Sequence, residues 1–171
     1  GPFPDYVDEV CRSGENRTFL PGIQIPDGMR FTAHRAEAVA SADVVILASP
    51  TKFFRTVADS FKGLIPASAT LVSVAKGLDD TTRERMTVVA SKVLGRHPIA
   101  ALSGPSLAPE VARRVPTAVV IASPDPDQAR AAERLDALAE ALKRWNPDAW
   151  FGKGAPPRGL YLWGPVGRGK S

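Results

Sequence analysis

The sequence predicts an open α/β fold, a mostly parallel sheet with helices on both faces. Three observations carry that expectation. Short runs rich in Val and Ile recur as far as Ser123, their apolarity is continuous rather than alternating, and helix-patterned stretches with their own start and stop signals lie between them. Continuous apolarity means burial on both faces, as inside a helix-covered parallel sheet; strict alternation would mark a sheet with one wet face.

Taken in order, the first run is "ADVVILAS" (residues 42–49). "TKFFRTVADSFKGLI" follows, with apolar residues every three or four positions, Thr51 placed to cap its start and Gly63 to end it. The second run, "ATLVSVA" (69–75), precedes "TTRERMTVVASKVLGR", a second helical stretch with Thr81 as N-cap and Gly95 as stop. "PIAALSG" (98–104) is the third strand, "LAPEVARR" opens a further helix, and "PTAVVIAS" (116–123) is the fourth strand. Strand, helix, strand at this spacing predicts βαβ units with right-handed crossovers, and hence four neighbouring parallel strands.

Beyond Ser123 the character changes. "PDPDQARAAERLDALAEALKRW" predicts one long amphipathic helix with Leu135, Leu138 and Leu142 on a single stripe. "NPDAWFGKGAPPRG" reads as a Pro/Gly-rich linker, and the apolar run Leu160 to Trp163 leads into G-x-x-x-x-G-K-S. The expected organisation is a sheet domain over residues 1–123, a helix over 124–145, a linker over 146–158 and a phosphate-loop segment over 159–171.

Composition bounds the function. Of 171 residues, 22 are basic and 18 acidic, and the net charge of +4 has no dense Lys/Arg block, so a nucleic-acid footprint is unsupported and a phosphorylated small molecule suits the chain better. Cys11 is alone, which excludes an internal disulfide and points to a reducing compartment. No stretch has the apolar length of a membrane span, and "GPFPDYVDEV" carries acids where a secretory signal needs a basic flank; the expected location is cytoplasmic.

Open parallel sheets bind ligands at the carboxyl ends of their strands. Three turns fall there: "SPTKFF" after the first strand, Lys76-Gly77 after the second, and Gly104-Pro105-Ser106 after the third. Lys76 projects a cation into the crevice, and Ser106 with the backbone N–H groups beyond Pro105 offers an anion nest. A structural part suits the same residues equally: a solvated strand-end lysine, with Gly104 and Ser106 capping a helix. His34 and His97 sit at helix ends as surface or capping residues, and no Cys/His spacing suggests a metal.

With "VDEVCRSGENRTFLPGIQIP", "ADVVILASPTKFFRTV", "LVSVAKGLDDTTRERMTVV" and "ALSGPSLAPEVARRVPTAVVIAS" in unbroken order, the chain resembles bacterial NAD(P)-dependent glycerol-3-phosphate dehydrogenases from about Tyr6 to Ser123. The resemblance implies a Rossmann-type cofactor domain that interconverts dihydroxyacetone phosphate and sn-glycerol 3-phosphate by hydride transfer with NAD(P)H. By position it implies Lys76 as a catalytic residue touching both cofactor and substrate, Gly104 and Ser106 on the substrate, and Pro50, Phe53 and Ala108 on the cofactor. That family opens with a strand, a G-x-G-x-x-G turn and a helix, and closes with an all-helical domain carrying its main catalytic lysine. This chain matches neither part, so the expectation is a partial Rossmann unit, lacking the first βαβ strands and without turnover of its own.

The tail, "DPDQARAAERLDALAEAL" and then "PRGLYLWGPVGRGKS", is similar to the start of ZapE-type AAA ATPases linked to cell division. That resemblance implies that Gly164, Gly167, Gly169 and Lys170 cradle the phosphates of ATP while Ser171 ligates Mg²⁺; the alternative is a Gly/Arg terminus with no nucleotide. The two resemblances meet between Pro124 and Ala132. In a 3-2-1-4-5-6 strand order, loss of the first strand leaves a slot beside "DVVILAS", and "GLYLW" has the character to fill it from the other end of the chain. An open sheet edge also allows association into a homo-oligomer.

Overall fold

The computed structural model describes residues 4–26, 28–123 and 160–163, with backbone alone for Pro4 and for 160–163. The expected helix over 124–145, the linker over 146–158 and the glycine-rich residues from Gly164 to Ser171 lie outside the described residues. Among the described residues no helix is long and apolar enough to cross a membrane.

The chain enters through α1 (Pro4–Ser13), with Asp5 in its first turn and Arg12 in its last, each sign matched to the helix dipole. Val7 and Val10, one turn apart, are its buried face. The loop that follows is closed by Glu15, whose carboxylate accepts the Gly22 N–H at 2.6 Å and the Arg17 Nε–H at 3.3 Å. The first of those bonds chiefly, then Arg17, holds the Glu15 carboxyl below its ordinary range. A short α2 (Arg35–Val39) delivers the fully buried Val39 to the core.

The sheet is built from β1 (Val44–Ala48), β2 (Thr70–Ser73), β3 (Ile99–Ser103), β4 (Val120–Ala122) and β5 (Leu160–Trp163), in the spatial order β4-β3-β2-β1-β5. Helices α3 (Thr51–Asp59) and α4 (Met86–Leu94) connect β1 to β2 and β2 to β3, and they pack on each other over the same face. In the register Val45↔Leu71↔Ile99 these side chains share a row on that face, where they meet Phe54, Ala58, Met86 and Val89 in one buried cluster. The next row, Ile46↔Val72↔Ala100, points the other way, and Val72 and Ala100 are fully buried as well. Burial on both faces, expected from the unbroken apolar runs, therefore holds for β2 and most of β1, and the fold is a Rossmann-type α/β sheet.

Two expectations are corrected. β4 runs antiparallel to β3, in the register Ala101↔Ala122 and Ser103↔Val120, and its residues are largely exposed rather than covered on both faces. Sixteen residues, 104–119, join the two strands, and the one helix described among them is the five-residue α5 (Ala108–Ala112), about 7.5 Å long, so no full crossover helix covers this connection as α3 and α4 cover the two before it.

The second correction concerns helix starts. Thr51 is the first residue of α3, with Pro50 before it as the cap. Thr81 lies well short of α4, which begins at Met86. Thr82 donates both its N–H (2.9 Å) and its hydroxyl (2.8 Å) to the Asp79 carboxylate, and Arg83 stands at φ 58, so the backbone turns there instead of winding a helix. Gly95 does end α4, at φ 90, with its N–H on the Ser91 carbonyl.

At the other side of the sheet β5 pairs parallel with β1, Val45↔Leu160 through Ala48↔Trp163. It takes the place that the first strand holds in the 3-2-1-4-5-6 order, as the apolar character of "GLYLW" suggested.

Candidate functional site

Because β1, β2 and β3 are parallel, the turns that leave them open on one edge of the sheet. After β1, Pro50 caps α3 and its carbonyl accepts the Phe53 N–H at 2.9 Å. Phe53 is left 47% exposed, with the Lys52 ammonium 5.7 Å from its ring centre. After β2 the chain passes through Lys76 and turns at Gly77, φ 102. The two turns touch: a Cβ on Gly77 would stand 3.6 Å from the Thr51 methyl.

The exposed Lys76 reaches across to β3 and donates from Nζ to the Gly104 carbonyl at 3.4 Å. This contact unites two of the site residues expected from sequence. Gly104 is needed for a second reason, since a Cβ there would lie 2.5 Å from the Ala118 carbonyl oxygen and 3.1 Å from the Val119 Cα, both backbone atoms that cannot move aside cheaply. Ser106, two residues on, is half-buried and lies outside α5, whose cap is Leu107 with no side-chain bond, so Ser106 does not serve as a helix cap. Ala108 opens α5 and is exposed. Gly164, Gly167, Gly169, Lys170 and Ser171 lie outside the described residues.

Sequence reasoning missed Asp79, three residues after Lys76. Its side chain is nearly buried and accepts from Thr82 twice and from the Arg55 guanidinium of α3 at 3.3 Å. The Thr82 N–H first, then the Thr82 hydroxyl and Arg55, hold its carboxyl below the ordinary range. The loop is further closed by the Asp79 N–H on the Glu84 carbonyl (2.9 Å) and a Leu78↔Arg85 bridge, while the Glu84 carboxylate takes the Lys92 ammonium. The signal was present as an aspartate three residues before a threonine, a common turn pattern, but the Arg55 partner is visible only in three dimensions. Ser73 Oγ, buried at the end of β2, has no hydrogen-bond partner among the described residues.

A cation, a small hydroxyl and an exposed aromatic on one strand edge can hold a phosphorylated polyol and a flat heterocycle, and can stabilise an oxyanion. The family model for the NAD-dependent glycerol-3-phosphate dehydrogenase N-terminus matches residues 3–129, and that for AFG1-like ATPases matches residues 117–171. The NAD(P)+ glycerol-3-phosphate dehydrogenase of Sinorhizobium fredii is 38% identical over 84% of this chain and 42% of its own length. The Corynebacterium glutamicum enzyme is 43% identical over 74% of this chain and 39% of its own length. This chain thus spans about two fifths of the curated relatives it matches. The crystal structure of glycerol-3-phosphate dehydrogenase from Coxiella burnetii superposes with a TM-score of 0.70 at 30% identity, covering 77% of this chain and 39% of that one. Over most of its length, then, the chain belongs to the family of NAD-dependent glycerol-3-phosphate dehydrogenase N-terminal domains.

Proposed function

We propose that residues 1–123 form a partial dinucleotide-binding unit that supplies part of the cofactor and substrate crevice of an NAD(P)-dependent glycerol-3-phosphate dehydrogenase. The observation that carries this reading is the Lys76 ammonium held on the Gly104 carbonyl at the carboxyl ends of β2 and β3. When bound, NAD(P)H supplies the hydride of such a reaction. The residues present suit it: Phe53 offers an exposed ring at the start of α3, and Pro50 and Ala108 are small, apolar neighbours for the cofactor at that edge. Lys76 would attract the phosphorylated substrate and stabilise negative charge on the carbonyl oxygen of dihydroxyacetone phosphate, and Ser106 and the Gly104 backbone would orient its hydroxyl groups.

Thermal unfolding with ligands tests the reading, because selective binding to the folded state raises the midpoint. NADPH or glycerol 3-phosphate at tenfold saturation should raise it by roughly 5 °C. Lys76→Ala should abolish that shift. The match of residues 117–171 to AFG1-like ATPases favours a second reading, in which 159–171 is the phosphate loop of a ZapE-type ATPase segment and 124–145 and 146–158 are its leading helix and linker. There Mg-ATP, and not NADPH, produces the shift. No shift with any of the three ligands at millimolar concentration contradicts both.

A further inference from the structure

The edge of β1 away from β2 carries the inference. In a parallel strand, successive residues turn their backbone groups to opposite neighbours. The Asp43 carbonyl accepts from Thr70 and the Leu47 carbonyl from Val74, so Asp43, Val45 and Leu47 serve β2. Val44, Ile46 and Ala48 therefore serve the other side, where the register sets them beside Leu160–Trp163. Without a strand there, their N–H and C=O groups would be left unpaired next to a buried core, since Val44 and Val45 are almost wholly buried. The segment beside them has an apolar residue at every position and no proline or charge to oppose pairing.

We propose that the β1 edge is an acceptor site for a parallel apolar strand, that this chain fills it with its own Leu160–Trp163, and that it takes the same strand supplied in trans. Recognition rests on the main-chain ladder, so it selects for strand direction and for the absence of proline more than for particular side chains. Ser123 and Leu160 belong to one chain, so pairing within it is intramolecular, with an effective concentration of the order of millimolar. A free peptide must approach about the same concentration, roughly 1 mM, to compete. The acceptor does not depend on dehydrogenase chemistry, and its test is separate from ligand binding.

Hydrogen exchange at single amides provides the test. In the full chain Ile46 and Ala48 N–H should be protected like Val45 and Leu47. In Leu162→Pro, which removes a donor from the β5 side, Ile46 and Ala48 should lose protection by about ten-fold or more while Val45 and Leu47 keep theirs. A peptide of residues 158–164, "RGLYLWG", should restore it at about 1 mM. Free exchange of Ile46 and Ala48 in the unmodified chain overturns the proposal, and this reading needs no variant to fold. Protection that rises with protein concentration assigns the donor to a second copy and overturns supply within one chain. Protection unchanged in Leu162→Pro, or unrestored by the peptide, overturns the acceptor.

Discussion

Lys76, Gly104 and Ser73 stand within a few residues of one another on the sheet edge yet answer to different physics. Lys76 is exposed and bonds only through its ammonium, so Lys76→Ala should change unfolding free energy by no more than about 0.5 kcal/mol while removing the ligand response. Gly104→Ala should behave in the opposite way. Its new Cβ would meet the Ala118 carbonyl at 2.5 Å, so denaturant unfolding should report a loss of about 1–3 kcal/mol. Ser73→Ala removes a buried hydroxyl that has no partner among the described residues, and unfolding should show unchanged or raised stability. Lys76 and Gly104 were legible in the sequence because each directly follows a buried apolar run, where ligand-binding turns of open sheets fall. The steric need for Gly104 was not, because it depends on how closely residues 118–119 return past β3.

At the scale of elements, the loop between β2 and α4 is governed by one carboxylate. The Asp79 carboxyl is held below its ordinary range by Thr82 and Arg55, so the folded state binds that proton less readily than the unfolded state does. The stability this adds is present above the ordinary carboxylate pKa, about pH 4, and is lost as pH falls through the lower folded value. Asp79→Asn should be less stable than the parent at pH 7, and the gap between their melting midpoints should close as the solution is made strongly acid. A gap that persists unchanged with pH contradicts the charge-based account. This loop also shows why Thr81 misled as a helix start: local propensity favoured a cap, but the Asp79 carboxylate competed for Thr82, and Arg55 from another helix holds that carboxylate in place. The strands were more legible, since unbroken apolar runs report burial, and β1, β2 and β3 appear where those runs lie. Apolarity carries no direction, and so the antiparallel course of β4 was not legible in its run.

Across the whole molecule, one buried cluster joins α3 and α4 to β1, β2 and β3, and Phe54 is its largest fully buried side chain. Phe54→Ala should cost about 3–5 kcal/mol by denaturant unfolding and loosen the start of α3, because Phe54 ties its first turn to the core. The family resemblance, spread over several motifs in register, made the Rossmann-type architecture readable before any coordinates. The occupant of the place beside β1 was readable only as a consequence of strand order, for nothing local in "GLYLW" names its neighbour. The most direct measurement is an amide spectrum of the chain titrated with glycerol 3-phosphate and then NADPH. Saturable shifts confined to the turns at Pro50–Phe53, Lys76–Gly77 and Gly104–Ala108, and lost in Lys76→Ala, are the predicted result. Shifts that miss these three turns, or no shifts at millimolar ligand, would contradict a shared phosphate and cofactor crevice at the carboxyl ends of the sheet.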